Sequence, residues 1–239
     1  MSKSTVEIGA EKRKQELIHV KKINMIVLFA NQKGGVGKST LALLFANYLS
    51  LTQNKEVIVF DMDNQRSIYN KAQAAMVLEN EPLYEVEAAE LGQFKIISDL
   101  VRDKKNLITV IDIAGSIENN DLIPIFKAAD LIICPFAYDE FSVSSTIEFS
   151  YILKSINPAV DIVFIPNRVK ANVKYETVES VHNALSNFGE ITRPVSERID
   201  FQRITTYETS HTIIQIVEPI YKLIHDKILR NKIEIPYVR

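Results

Sequence analysis

Short apolar runs along the chain alternate with segments in which apolar residues recur at helical spacing. The runs are rich in β-branched and aromatic residues, and this composition predicts buried strands. We place strands at residues 25–30, 57–60, 83–86, 107–112, 130–135, 161–167 and 191–195. Helices are predicted at about residues 41–49, 67–78, 94–102, 121–129, 142–156, 175–188 and 214–230. The alternation indicates one α/β domain, with a mostly parallel twisted sheet covered by helices on both faces.

Residues 1–22 fall outside this pattern because they are polar and charged. They are interpreted as a charged N-terminal extension, a frayed helix with a small apolar face, ahead of a domain spanning residues 23–239. The formal net charge of −2 gives no overall basic excess, so any nucleic-acid binding must come from a local patch. The only cysteine, Cys134, sits in an apolar run that predicts a buried strand residue. No signal peptide or apolar run of membrane-spanning length is present, so the expected location is the cytoplasm.

Residues 31–40, Asn-Gln-Lys-Gly-Gly-Val-Gly-Lys-Ser-Thr, join the first predicted strand to the first helix and hold three of the seven glycines. Glycines let backbone N–H groups close around an anion, and the N-terminus of the following helix favours negative charge. A dinucleotide-binding loop is excluded, because its third glycine would fall at Thr40. The strand, loop and helix therefore predict a P-loop NTPase fold that binds ATP or ADP with Mg²⁺.

The chemistry of phosphoryl transfer assigns roles to the residues of this loop. Lys38 would neutralise the β- and γ-phosphates, the Ser39 hydroxyl would ligate Mg²⁺, and the Thr40 side chain would lie near the α-phosphate. Backbone N–H groups along residues 35–40 would cradle the phosphates. The predicted nucleotide-binding residues are Gly34, Gly35, Val36, Gly37, Lys38, Ser39 and Thr40.

Aspartates end two further predicted strands, at the edge of the sheet where the ligands of open α/β folds bind. Asp112 ends an apolar strand as a Walker B carboxylate does, and it would hold Mg²⁺ directly or through water. Asp61 and Asp63 follow the second strand, and either one would orient the attacking water. Asp61 is also a candidate metal ligand. The alternative for each of these aspartates is that it closes a turn.

Three segments resemble the deviant-Walker-A ATPases of the ParA/MinD superfamily. They are the loop at residues 31–40, Asp-Met-Asp-Asn-Gln-Arg-Ser at residues 61–67 and Val-Ile-Asp-Ile-Ala-Gly-Ser at residues 110–116. Nothing in an ordinary P-loop requires the lysine at position 33. The resemblance implies that Lys33 is a catalytic residue that reaches the partner's phosphates across an ATP-dependent homodimer. It also implies slow, Mg²⁺-dependent hydrolysis of ATP.

Within the superfamily, the segments most resemble the short plasmid partition proteins of the ParF type. The Asn-Gln pair before Lys33 is typical of the partition branch, whereas the cell-division branch usually carries Ser-Gly there. This resemblance implies an ATPase that binds DNA non-specifically, associates with the nucleoid when ATP-bound and is stimulated by a centromere-binding ParB-type partner. Asn64 and Arg66 depart from the family pattern, because they replace a common Pro and Gly.

The resemblance also implies residues for base recognition and DNA binding. Asn167 stands at a strand end where the family often reads adenine, and a turn-forming role is the alternative. The candidate DNA-binding residues are Arg203, Lys222, Lys227, Arg230 and Lys232. Acidic residues are interspersed among them, so a merely solvated helix face is the alternative here.

Other functions stay open at this point. A MinD-like protein would use ATP to position itself on a membrane, and the amphipathic segment at residues 220–229 could lie on lipid. Its polar face carries mixed charge, so we predict instead that it packs on the sheet and that the protein does not bind membranes. A metabolic P-loop enzyme would need an acceptor pocket that no motif indicates. Iron–sulfur reductases of the superfamily are excluded, because their cluster needs two cysteines per subunit.

Overall fold

The computed structural model describes residues 24–104, 106–115, 119–170, 173 and 175–232, with side chains up to residue 229. Strands in this part of the chain are β1 Met25–Phe29, β2 Glu56–Met62, β3 Glu85–Ala88, β4 Leu107–Ile113, β5 Leu131–Phe136, β6 Asp161–Pro166 and β7 Glu190–Ile191. The helices are α1 Lys38–Gln53, α2 Ser67–Val77, α3 Phe94–Arg102, α4 Leu122–Ala128, α5 Glu140–Ile156, α6 Val178–Leu185 and α7 His211–Lys232. Short 3₁₀ segments span Leu91–Gln93 and Ile199–Arg203. The predicted extension at residues 1–22 lies outside the described residues.

The strands form one sheet in the order β3-β2-β4-β1-β5-β6-β7, and all of these pairings are parallel. Strand β1 lies at the centre, where Phe29 is opposite Asp112 of β4 on one side and Ile133 of β5 on the other. The predicted α/β domain with a parallel sheet is confirmed. Both faces of such a sheet are buried, which explains why its strands are continuous apolar runs in the sequence.

Two apolar layers enclose the sheet, one on each face. Val27 and Phe29 of β1 belong to the layer that includes α1, α2 and α7, whereas Ile26 and Leu28 belong to the layer that includes α3 to α6. Successive strand residues point to opposite faces, so one short strand contributes to both layers. Cys134 is fully buried in the second layer, which confirms the prediction of a buried strand residue.

Helix α7 packs in the first layer, which distinguishes between lipid binding and packing on the sheet for the segment at residues 220–229. Val217, Tyr221 and Ile224 are fully buried in that layer, and the Tyr221 hydroxyl donates to the Leu41 carbonyl 2.9 Å away. The apolar face of α7 is therefore used inside the domain, which confirms the prediction that this segment packs on the sheet. Among the helices of the described residues, none is long and apolar enough to cross a membrane.

The structure differs from the predicted boundaries at α1, which is longer than predicted at both ends, and near the end of the chain. The predicted strand at 191–195 is shortened and shifted to Glu190–Ile191. Beyond it, Thr192 and Val195 still donate backbone hydrogen bonds to Phe164 and Pro166 of β6, and an isolated bridge joins Val169 and Ser196. Helix α7 begins at His211, earlier than predicted, and contains Pro219. A proline removes one helical hydrogen bond. Helix α7 continues across that position, with Val217 and Ile220 buried on either side of it.

Candidate nucleotide-binding site

The loop at residues 31–37 follows β1 at the carboxyl edge of the sheet. Its strand has β4 on one side and β5 on the other, so the loop lies where the two halves of the sheet diverge. Crevices at such points are the usual ligand sites of open α/β sheets. Asp61, Asp112 and Asn167 lie at the carboxyl ends of β2, β4 and β6. The parallel sheet thus brings the separate sequence motifs to one edge.

Two glycines of the loop adopt backbone conformations that other residues seldom take. Gly35 has φ 77° and Gly37 has φ 93°, both in the left-handed region. A Cβ atom at Gly37 would also lie 2.3 Å from the Asn167 amide nitrogen, which is well inside contact distance. Helix α1 begins immediately after this glycine, so its first N–H groups face the loop. The loop therefore has the backbone of an anion-binding site.

A cavity of about 740 Å³ opens in front of the loop. One wall comprises Gly34, Gly35, Gly37, Lys38, Ser39 and Thr40, with Asp63, Gln65, Ser67, Ala114 and Gly115. The lining also includes Asn167, Arg168, Ser196, Glu197, Arg198, Ile199, Phe201 and Gln202. The segment at 196–202 was missed by sequence reasoning, because it is irregular and carries no recognised motif. A cavity of this size suits a nucleotide.

Asn167 and Arg168, directly after β6, contact the backbone of the loop. The Asn167 amide donates to the Val36 carbonyl at 2.8 Å, and the Arg168 guanidinium donates to the Gly35 carbonyl at 2.6 Å. Arg168 has a left-handed backbone with φ 58°. No sequence pattern singled out this arginine, and its only signal is its place next to Asn167. The amide nitrogen of Asn167 is engaged with the loop, and its contact with adenine stays a prediction.

Lys38 forms part of the cavity wall and is only 6% exposed. Its ammonium lies 3.4 Å from the carbonyl oxygen of Lys33. Burial lowers the pKa of Lys38, whereas the nearby carboxylates of Asp112 and Asp63 raise it. An ammonium has three donors, so this group retains hydrogen-bonding capacity for a phosphate.

Asp112 is fully buried, and among the described residues neither of its carboxylate oxygens has a hydrogen-bond partner within 3.5 Å, with the Ser39 hydroxyl close by. Burial raises the pKa of Asp112 to about 8, whereas the Ser39 hydroxyl and the Lys38 ammonium act in the opposite direction. An unpaired buried carboxylate is costly, so this site calls for a cation or a bound water. Ser39 and Asp112 fit Mg²⁺, an ion that prefers oxygen ligands and retains part of its water shell.

The two aspartates after the apolar part of β2 have different surroundings. Asp61 is fully buried, and its Oδ2 atom accepts from the amides of Ile68 and Tyr69 at 2.8 and 3.0 Å. Burial raises the pKa of Asp61, and these amides partly offset that rise. Asp63 lines the cavity, where its Oδ1 atom accepts from the Gln65 amide at 2.9 Å. These contacts tie Asp61 to the backbone at the start of α2 and leave Asp63 in the cavity wall. The water-orienting role of either aspartate and the metal role of Asp61 stay predictions.

The backbone of Arg66 explains why the ParA/MinD superfamily commonly has glycine at this position. It directly precedes α2 with φ 48°, in the left-handed region that glycine adopts at no steric cost. Its guanidinium lies 2.5 Å from the carboxylate of Glu90, in a pair that is partly exposed. The loop therefore keeps a glycine-like backbone although an arginine occupies the position.

The other lysine of the loop, Lys33, lies outside the cavity wall. It is partly exposed, and its Nζ atom lies 5.9 Å from the centroid of the Phe141 ring. Among the described residues that line the cavity, Lys38 is present and Lys33 is not. The two lysines of one loop therefore face different surroundings. No sequence pattern singled out Phe141 as a neighbour of Lys33.

The candidate DNA-binding residues lie in different parts of the structure and differ in their ion pairing. Arg203 is exposed and follows the segment that lines the cavity. The ammonium of Lys227 lies 3.3 Å from Asp161 and 3.6 Å from Glu190, the first residues of β6 and β7. Lys227 lies roughly 24 Å along α7 from the start of that helix. It is therefore near the amino edge of the sheet, opposite the edge that carries the cavity. The remaining candidates on α7 are Lys222, which is exposed, and Arg230 and Lys232, whose side chains lie outside the described residues.

The parallel sheet, the phosphate-binding loop and the carboxylates beside it define a P-loop nucleotide-binding protein. Residues 27–205, more than half of the chain, match the family described as the CobQ/CobB/MinD/ParA nucleotide binding domain. The chain therefore belongs to this family, and its resemblance to the ParA/MinD superfamily is confirmed. Proteins of this superfamily are P-loop NTPases and generally ATPases.

Several solved structures share the fold. A plasmid partition protein from Borrelia burgdorferi B31, bound to AMPPNP, is 22% identical with a TM-score of 0.66, over 86% of this chain and 100% of that chain. MinD from Pyrococcus horikoshii OT3, complexed with Mg-ADP, is 14% identical with a TM-score of 0.63, over 84% and 95%. The pNOB8 ParA bound to nonspecific DNA is 16% identical with a TM-score of 0.57, over 87% and 98%. At these identities the likeness shows a common fold.

A curated relative matches a shorter stretch. The iron–sulfur cluster carrier protein of Rickettsia typhi is 46% identical over 61 residues. The match covers 26% of this chain and 18% of that protein, so the chain spans less than a fifth of the relative's length. Cys134 is the only cysteine, and burial raises the pKa of its thiol. A short match and one buried thiol do not transfer the relative's activity.

Proposed function

We propose that this protein is a ParA-like DNA-partition ATPase that hydrolyses ATP slowly with Mg²⁺ and forms an ATP-dependent homodimer. The observation that carries the proposal is the different placement of the two loop lysines. Lys38 belongs to the cavity wall, whereas Lys33 lies outside that wall with its ammonium near Phe141. A lysine outside its own site is available for the phosphates bound by a second copy.

The residues of the cavity would position ATP and stabilise its charge. The loop backbone binds the phosphates, and Lys38 donates to the β- and γ-phosphate oxygens. Ser39 and Asp112 would hold Mg²⁺, which when bound neutralises charge on the same oxygens. Asp63 accepts a hydrogen bond from the attacking water and directs it at the γ-phosphate. The Asp61 carboxylate accepts a hydrogen bond from the backbone amide of Asp63 at 3.2 Å, and this contact holds the segment that carries Asp63 in place.

The dimer is further proposed to bind DNA non-specifically, to associate with the nucleoid when ATP-bound and to respond to a centromere-binding ParB-type partner. Support comes from the fold likeness to plasmid partition proteins and to a ParA bound to nonspecific DNA. Arg203 and Lys222 are exposed, whereas Lys227 is paired with two carboxylates. We therefore assign DNA contacts to Arg203 and Lys222 first. Such binding is expected to weaken steeply with salt.

Replacement of Lys33 tests the dimer. Lys33→Ala is expected to abolish ATP-dependent dimers in light scattering, while a calorimetric titration still detects nucleotide binding to the monomer. Lys95→Ala is a matched control, because Lys95 is an exposed lysine on α3. Dimers that form with ATP in the Lys33→Ala protein would contradict the proposal.

A MinD-like membrane-positioning function is the alternative, and it is motivated by the fold likeness to MinD. The burial of the apolar face of α7 counts against it. DNA mobility shifts and liposome co-sedimentation, each with and without ATP, separate the two functions. ATP-dependent DNA binding without liposome binding supports partition, and the opposite pattern overturns it.

A further inference from the structure

An exposed aromatic side chain stands beside the loop and is not among the described residues that line the nucleotide cavity. Phe141 is the second residue of α5 and is 76% exposed. The Lys33 ammonium lies 5.9 Å from the centroid of its ring, within the range of a cation–π contact. The ring therefore contacts the one lysine of the loop that faces away from the cavity.

We propose that Phe141 is a positioning residue for Lys33: its ring holds the ammonium outside the chain's own cavity, where a second copy can meet it. This inference rests on the proposed ATP-dependent dimer. A lysine side chain has many rotamers, and restricting them on association costs entropy. A ring that restricts Lys33 before association reduces that cost, so the contact strengthens the dimer.

The backbone on both sides of this contact is tied to one buried polar network. The Lys33 amide donates to Asn31 Oδ1 at 3.0 Å. The Asn31 amide nitrogen donates to the Thr146 hydroxyl of α5 at 2.9 Å and to the Pro135 carbonyl of β5 at 2.8 Å. Asn31 and Thr146 are buried, with exposures of 1% and 0%. A single side chain thus joins the loop that carries Lys33 to the helix that carries Phe141.

The start of α5 is fixed by further hydrogen bonds. Asp139 caps the helix by accepting from the Ser142 amide at 2.9 Å. The Ser142 hydroxyl accepts from the Ala137 amide at 3.0 Å, and its carbonyl accepts from the Thr146 hydroxyl at 2.6 Å. Phe141 lies between Asp139 and Ser142 in the chain. Its ring is exposed while its backbone is held, an arrangement suited to a contact at the surface.

Replacements of the ring separate a cation–π contact from simple apolar contact. Phe141→Leu keeps an apolar side chain without the π system, whereas Phe141→Tyr keeps the π system. One exposed cation–π contact corresponds to about a two- to five-fold change in an equilibrium constant, and a symmetric dimer contains two. Phe141→Leu is therefore expected to weaken the ATP-dependent dimer about four- to 25-fold, and Phe141→Tyr about two-fold or less. Wild-type dimer affinity in the Phe141→Leu protein would overturn the proposal.

Two controls show whether the ring's electrostatics matter. Tyr151→Leu is a matched control, because Tyr151 is an aromatic residue of the same helix that is 65% exposed and packs on Phe188. It is expected to leave the dimer unchanged. Stepwise fluorination of the Phe141 ring weakens its negative face with little change in shape. The dimer dissociation constant is expected to rise with each fluorine, and a flat series would overturn the cation–π contact.

A measurement on the nucleotide-free monomer tests the contact without any dimer. The ε-methylene protons of Lys33 are expected upfield of other lysine signals in NMR spectra, because the side chain lies over the Phe141 ring. Phe141→Leu should remove this shift, and Lys33→Arg identifies the signal. An unshifted Lys33 signal would overturn the positioning role. A wild-type protein that shows the shift but forms no dimer with ATP would overturn the proposed function alone.

Discussion

Asp112 and His225 are both buried ionisable groups, but they lie at opposite edges of the sheet. At the carboxyl edge, both oxygens of Asp112 lack hydrogen-bond partners among the described residues. Toward the amino edge, the Nε2 atom of His225 likewise has no hydrogen-bond partner among the residues that the structure describes. Burial raises the pKa of Asp112 to about 8 and lowers the pKa of His225. Burial thus favours the neutral form of each group.

The neighbours of Asp112 and His225 differ, and so does the consequence of burying each group. Asp112 lies near Lys38, which lines a cavity large enough for a nucleotide, so a bound cation can satisfy its oxygens. His225 lies in α7, with Lys55 and Asp226 as its charged neighbours, and the neutral ring avoids the cost of a buried charge. The unpartnered carboxylate of Asp112 thus lies near a cavity for a ligand, whereas the unpartnered nitrogen of His225, among the described residues, lies within the packing of α7. Four substitutions test this difference.

The largest expected effect is on hydrolysis at the carboxyl edge. Asp63→Asn keeps an oxygen for the backbone amide of Gln65 but removes the charge that is proposed to orient the attacking water, so the rate of hydrolysis should fall about 10²–10⁴-fold. The melting temperature should change little, because asparagine can still accept from the backbone amide of Gln65, and ATP should still bind because the loop and Lys38 are unchanged. Phosphate release, calorimetry and thermal unfolding measure these quantities, with Asp99→Asn on the exposed face of α3 as the control. An unchanged rate would favour Asp61 as the water-orienting residue.

Lys38→Ala should have the next largest effect, on nucleotide binding. Hydrogen bonds to charged groups contribute about 1.5–3 kcal/mol, so ATP affinity should fall roughly 10- to 150-fold. The unliganded fold should not lose stability, because burial disfavours the charged form of this lysine. Calorimetric titration and thermal unfolding test both expectations. Intact ATP binding would mean that the site assignment is wrong.

Asp61→Asn tests a polar group that lies at the carboxyl edge but already accepts hydrogen bonds from backbone amides. An asparagine would place an NH₂ group against those donors, which should cost about 1–3 kcal/mol of stability. The melting temperature of the unliganded protein should fall by roughly 2–12 °C. Asp63→Asn is the matched control. Equal melting temperatures for the two variants would contradict the different roles assigned to the two aspartates.

The smallest expected effect is at the amino edge, from the titration of His225. Its pKa is lowered in the fold by burial and by Lys55, against the opposite effect of Asp226. The unfolded chain therefore binds the proton first, and stability falls as the pH drops from about 6.5, the unfolded value, through the folded pKa. His225→Gln should remove this part of the pH dependence. Melting temperatures of both proteins at several pH values measure it, and parallel profiles would exclude His225 as the cause.

The carboxyl edge could be predicted largely from the sequence, because its motifs are local. The left-handed backbone at Gly37 and the strand-end position of Asp112 follow from a few adjacent residues. Arg168, Phe141 and the wall at residues 196–202 could not be predicted. These groups reach the loop only because the order of the strands brings distant segments together.

The pattern of residues alone determines the α/β class, the phosphate-binding loop and the aspartates at the strand ends, because strand periodicity and loop chemistry act over short stretches of chain. Tertiary structure decides which of Asp61 and Asp63 faces the cavity, and which lysine of the loop faces outward. It also separates Arg203 from Lys227 and brings Asn167 to Val36, 131 positions earlier in the chain. The environment of a charged or polar side chain depends on such distant neighbours, and only the packed sheet sets them.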